Sequence, residues 1–298
     1  MRRYTLAFAT TTVPPVPSAP SALPVVRSIS PQQPFVWLVL AWRDMARAGW
    51  VSFAHGLALA FFGAAIVAVA HNRFWLLSGA LSGFLVVAPV LATSLYALSR
   101  ALERGEKADY RVVLKTWLNW QGSHFNKWGN DYWCMVQFGA LLALAATGWV
   151  LTSAALITLL APAPIHTPLD FVQHVVLARH GWLFELWLAM GGLMAAPMFA
   201  SSVVAMPLLL DRRVTLLQAV LTSWQAVLAN PVTMAVWSGL IMLFTLLGLG
   251  SLLLGLIAVI PMLGHASWHA YRDLVDVSGV PLRETEANAA PASETGGH

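Results

Sequence analysis

Charge is scarce in this sequence. Only 10% of the residues are Asp, Glu, Lys or Arg, while 58% are hydrophobic. A soluble domain carries about a quarter charged residues. So few charges cannot cover a water-facing surface, so most of the chain must face lipid or other membrane helices. Cysteine is almost missing too. Cys134, the single one, excludes an intrachain disulfide, a paired-cysteine metal site and a Cys-x-x-Cys-His haem attachment. At the start of an apolar run, Cys134 reads as a packing residue. Acids are missing from the apolar stretches, where Glu185 stands alone near one edge, and this argues against ion-coupled transport. There is no Walker loop, no Gly-x-Ser-x-Gly and no His-Glu-x-x-His, so no enzyme is expected. The start, Arg2 and Arg3 followed by a short mixed stretch, does not read as a signal peptide.

What is abundant is apolar length. A spanning helix needs about 20 mostly apolar residues, and 51–70, 75–99, 132–160 and 181–210 all qualify. A fifth apolar region, 232–269, is too long for one crossing, and its centre, Leu247-Gly248-Leu249-Gly250-Ser251, reads as a break. Splitting it there gives six spans; leaving it as one kinked helix gives five. Cytoplasmic segments collect Lys and Arg. With six spans and the N-terminus inside, fifteen of the 17 Lys and Arg fall inside, and only Arg73 and Arg179 outside. Five spans would move Arg272 and Arg283 out. Six spans therefore fit better, with both ends cytoplasmic, and the basic balance needs no nucleic acid. Residues 1–34, with seven prolines between Pro14 and Pro34, are expected to be a disordered tail, 35–278 the membrane domain and 279–298 a second tail.

The expected fold class is an all-α transmembrane bundle built as three helical-hairpin repeats. Amphipathic stretches at 35–47, 110–120 and 214–229 precede the hairpins and fit helices lying at the membrane–water boundary or connectors packed on the bundle. The first should place Arg43, Asp44 and Arg47 on one face. The second helix of each hairpin carries a proline: Pro89, Pro197 and Pro261. A glycine precedes each (Gly83, Gly192, Gly255), and charges follow. Proline inside a span kinks it, and Gly79-x-x-x-Gly83 offers a flat face for close helix contact.

His265 and His269, four apart, project from one face of the last span, and His55 lies in the first span. Together they are the candidate haem or metal ligands. The alternative is that His265 and His269 bond carbonyls or headgroup water near the cytoplasmic end. His166, His174 and His180 share a loop with Asp170 and read as solvated.

Trp37-Leu-Val-Leu-Ala-Trp-Arg-Asp44 and Gly264-His-Ala-Ser-Trp-His-Ala-Tyr-Arg-Asp-Leu-Val275 resemble a bacterial family of predicted integral membrane proteins of unknown function, as do 94–105 and 207–213. The resemblance covers about 35–278. It implies location and architecture, not an activity. Some members are labelled cytochrome c oxidase subunit I, which needs more spans and more core histidines than this sequence holds. Three functions follow as expectations. The first is a non-enzymatic accessory or assembly subunit of a membrane complex of the bacterial inner membrane, respiratory complexes included. The second is a transporter or channel for a small solute. The third is haem or metal binding through His265 and His269. The lipid bilayer and other membrane subunits are the expected partners; no cofactor is required.

Overall fold

Apolar runs in lipid must satisfy their backbone polar groups internally, which favours helices. The computed structural model describes residues 23–70, 92–122, 133–178 and 181–283, and the fold is all-α. Helix α1 (Gln33–Ala48) starts at Pro34, whose missing N–H costs nothing in a first turn. It ends at Gly49, where φ of 61° turns the chain directly into α2 (Trp50–Ala70). Then come α3 (Thr93–Glu103), α4 (Tyr110–Gly122) and α5 (Trp133–Leu160). A helical turn at Pro168–Phe171 runs into a π-helical turn at Val172–Val176. Helices α6 (Trp182–Ser202) and α7 (Ala205–Asp211) follow. Helix α8 (Leu216–Ala229) begins on a capping box between Thr215 and Gln218. The chain closes with α9 (Pro231–Gly250) and α10 (Leu256–Leu274).

Among the described residues, four segments are long and apolar enough to cross a membrane: Trp50–Val69, Trp133–Leu160, Trp182–Asp211 and Pro231–Gly250. Most of the expected span 75–99, with Pro89, Gly79 and Gly83, lies outside the described residues. The long apolar region 232–269 is two helices. The break falls at 251–255, just beyond the glycine pair. Leu252 and Leu253 both take left-handed backbone there, with φ of 55° and 70°. The Ser251 hydroxyl donates to Gly248 O and accepts from Gly255 N. Pro197 and Pro261 both sit inside helices.

The core forms where the segments after the prolines meet. Thr93 to Ala101 of α3 are all buried, as is every residue of α7. The second half of α10 buries Gly264, His265, Ala266, Trp268, Ala270, Tyr271 and Leu274. These three segments touch one another. A Cβ on Gly264 would lie 2.5 Å from Leu95 Cδ1. Arg100 Nη1 donates to Leu210 O at 3.0 Å, and Tyr271 Oη donates to Asp211 Oδ2 at 2.8 Å.

The three amphipathic helices pack around this centre, α1 against α10, α4 against α3, and α8 against α6 and α7. Each also keeps an outward apolar stripe: Phe35, Val39 and Trp42 on α1; Tyr110, Leu114 and Leu118 on α4; Leu217, Leu221 and Leu228 on α8. They are thus packed connectors with a second apolar face. The expected shared face of Arg43, Asp44 and Arg47 is not formed. Asp44 joins Trp37, Ala41, Met45 and Ala48 on the buried face, and both arginines are exposed. The spacing 37-41-44-48 follows the helical period more closely than the charges do.

The expected tail boundaries also shift, because stretches of both tails are built into the fold. Strand β1 (Val25–Val26) pairs antiparallel with β2 (Val275–Asp276). Arg27 N donates to Leu274 O, and its guanidinium meets Asp276 at 2.8 Å. Asn230 accepts from Ile29 N and donates to Arg27 O. Past residue 279, Val280 and Arg283 are buried, and Arg212 pairs with Leu282. The remaining tail residues, 1–22 and 284–298, lie outside the described residues.

Candidate functional site: a buried histidine–aspartate seam

Where α1 meets α10, the packing is polar. Asp44 projects from α1, Ser52 and His55 from α2, Ser94 and Ser99 from α3, His265 and His269 from α10. Ser52, Ser99 and His265 are fully buried, and Asp44 is 6% exposed. Buried polar groups must be hydrogen-bonded or they cost stability, and each of these is. Ser99 Oγ lies 2.6 Å from Asp44 Oδ2 and 2.7 Å from His265 Nδ1. Ser52 Oγ lies 2.9 Å from His265 Nε2. His269 Nε2 lies 2.9 Å from the same Asp44 oxygen.

With Asp44 ionised, the proton positions follow from who can donate. The carboxylate only accepts, so Ser99 gives it its single hydroxyl proton and His269 gives it the Nε2 proton. Ser99 then has only lone pairs for His265, so His265 carries its proton on Nδ1. Its Nε2 accepts from Ser52. The result is a directed chain, Ser52 to His265 to Ser99 to Asp44, with His269 donating from the other side. Burial pushes the Asp44 carboxyl up. The bonds from His269 and Ser99, with the nearby imidazoles, outweigh it and hold the carboxyl below its ordinary value.

A turn along α2, His55 Nδ1 donates to Val51 O and its Nε2 lies 2.8 Å from Ser94 Oγ. His55 also borders an apolar cavity of about 350 Å³ between α2 and α4, lined by Trp50, Tyr110, Val113, Leu114 and Trp117. Toward the end of α10, Asp273 accepts from Gln33 and Trp37 of α1. A second centre, Asp211, takes Tyr271 and Arg212, with Arg104 at 3.7 Å. Near it, Arg100 and Arg283 cap carbonyls around the end of α7, where a cation complements the helix dipole.

The structure therefore brings the sequence candidates His265, His269 and His55 into one region, but not as ligands. Both ring nitrogens of His265 and of His55 already bond protein groups. No cluster of three or more His, Cys, Asp or Glu placed to hold a metal occurs among the described residues. At His265 and His55 the geometry does not fit haem or metal ligation. His174 bonds Asp170 O and the Asp170 carboxylate caps its own helical turn, while His180 lies outside the described residues. Sequence reasoning missed Asp44, Ser52 and Ser99. The signal for Asp44 was its register with Trp37 and Ala41; Ser52 and Ser99 left none. Chemically, the seam holds protons at defined atoms. It offers no nucleophile to solvent, because Ser52 is sealed.

No curated protein and no solved structure matches this chain. A family model does match, over residues 76–211. That stretch takes in 94–105 and most of 207–213, and leaves the segments around Trp37 and His265 outside it. Over those residues the chain is similar to a family described as a predicted integral membrane protein (DUF2189), whose function is unknown.

Proposed function

We propose that this chain is a non-catalytic accessory or assembly subunit of a larger complex in the bacterial inner membrane, crossing it six times with both ends cytoplasmic. Pairing of β1 with β2 holds the two ends of the membrane domain side by side, which supports an even number of crossings. The four apolar segments, the region 75–99 and α10 make six. The three-hairpin reading draws support from the post-proline segments α3, α7 and α10, which meet in one core, each covered by one amphipathic helix.

The observation that carries the subunit reading is the contrast between inside and outside. The ionisable groups of the seam point inward and are used up by one another. The lateral surface is apolar and little covered: only 22% of the apolar window of α5 and of α9 is buried within the chain. Aromatic and leucine stripes on α1, α4 and α8 extend that surface to the boundary layer. A lone bundle has no use for so much uncovered surface beyond lipid contact. Purification from its native membrane in mild detergent, followed by native mass spectrometry, should find a second membrane protein at fixed stoichiometry. A stable single chain with lipid alone would refute the subunit reading.

A further inference from the structure

The three amphipathic helices cover three comparable joints, and among the described residues one of them sets a buried carboxylate against imidazoles. Helix α4 meets α3 through Val112 and Val113 against Leu98. Helix α8 meets α7 and the end of α6 through Ala219, Ala226 and the Ser223 hydroxyl, which accepts from Val204 N. At the joint of α1 with α10, by contrast, a buried carboxylate faces two imidazoles. This joint is also where the fold closes on itself, since among the described residues α1 is the first helix and α10 the last.

We propose that the α1–α10 seam is a proton-operated clasp, with Asp44 and His269 as the proton-binding pair and the Ser99–His265–Ser52 chain as its fixed anchor. Among the described residues, the charged groups around it are few. On α1, Arg43 and Arg47 are exposed on the opposite face. From α2 come Ser52 and, a turn away, His55. From α3 come Ser99 and Arg100, whose guanidinium reaches Leu210 O. From α10 come His265, His269, Arg272, which pairs with Glu103, and Asp273, which holds Gln33 and Trp37. Helix α9 adds Trp237, packed edge-on against Trp37. Among the groups that bond Asp44, His269 alone can become a full cation without breaking the anchor, because its second ring nitrogen can take a proton while Nε2 keeps its bond.

The direction follows from charge. With His269 protonated, the seam buries an ion pair of zero net charge, joined by a charge-assisted bond. When that proton leaves, the carboxylate keeps its charge with only neutral donors around it, which buried charges tolerate poorly. The clasp is therefore tight when His269 carries its second proton and loosens when that proton leaves.

Hydrogen–deuterium exchange of the full chain in lipid nanodiscs tests this, with rates corrected for the intrinsic pH dependence. Protection of residues 34–47 should fall about five- to tenfold between roughly pH 5 and 8. Helices α4 and α8 serve as internal controls and should show no such step. Asp44→Asn and His269→Gln should each abolish the step while leaving the protection of α5 and α6 unchanged. A flat profile for α1 in the unmodified protein would overturn the proposal, whatever the variants do. So would an equal step in α4 and α8, or a step that survives both substitutions.

Discussion

At the residue scale, close approach decides more than residue type does. Helices α2 and α10 run side by side, and Gly56 makes that possible. A Cβ there would run into Ile257 O and lie 2.6 Å from Ile257 Cα, both backbone atoms that cannot rotate away. Gly192 is also a glycine inside an apolar helix, yet nothing lies within 4 Å of where its Cβ would be. Gly56→Ala should therefore destabilise by about 1–3 kcal/mol through overpacking. Gly192→Ala should be neutral or stabilising by up to about 1 kcal/mol, since alanine is the better helix former. Thermal unfolding in detergent separates the two, and equal melting points would contradict the packing of α2 on α10. Gly192 and Gly255 occupy matching places in the sequence repeat. Only Gly255 is crowded, by Ser251 Oγ and Gly248 Cα. The proposed repeat thus rests on the proline and the core segment behind it more than on the glycine. Asp44 teaches the same lesson. Its neighbours Arg43 and Arg47 suggest a solvated face, and one helical register turns it into the centre of the seam.

At the element scale, the short β1–β2 pair is the joint between the two ends of the membrane domain. Two residues per strand hold little by themselves. The pair is reinforced by the ion pair of Arg27 with Asp276 and by Asn230, which bonds both Ile29 N and Arg27 O. The Arg27 guanidinium, with the Ser278 N–H, holds the Asp276 carboxyl well below the usual carboxylate range. A carboxyl with a lowered folded value contributes its stability above its unfolded value and loses it as pH falls through the folded one. The clasp of β1 on β2 should be unaffected from neutral pH down to the ordinary carboxylate range and should open only in stronger acid. Protease accessibility of residues 23–31 across an acid titration measures this. Asp276→Asn should leave that segment cut at every pH; an acid step that persists in this variant would assign the effect elsewhere.

At the scale of the whole molecule, the described residues close as a ring of joints around one main core. Trp37, Trp237, Trp268 and Tyr271 are its largest sealed side chains. The α5–α6 hairpin carries its own smaller cluster at the far end, built on Ile157, Val175 and Leu183 with Trp187 between Trp149 and Phe171. Closure of the ring predicts that the two ends of the membrane domain share one side of the membrane. Cysteines placed at Arg27 and at Ser278, in a Cys134→Ser background, should react with a membrane-impermeant maleimide from the same side of sealed vesicles. Under the proposed orientation that side is the cytoplasmic one. Labelling from opposite sides would contradict the strand pairing and the even number of crossings together.

The sequence by itself determined the solvent of this protein. Scarce charge and long apolar runs require a membrane, and apolar runs in a membrane favour helices. It also divided 232–269 into two helices, because glycines interrupt a run too long for one crossing. The tertiary structure alone decided what the polar residues are for. Ser52 and Ser99 carry no periodic signal, and whether a polar side chain meets water, lipid or another side chain depends on which helices lie beside it. Ser52, Ser99 and Asp44 belong to three different helices, and only the closing of α1 onto α10 brings them to His265 and His269.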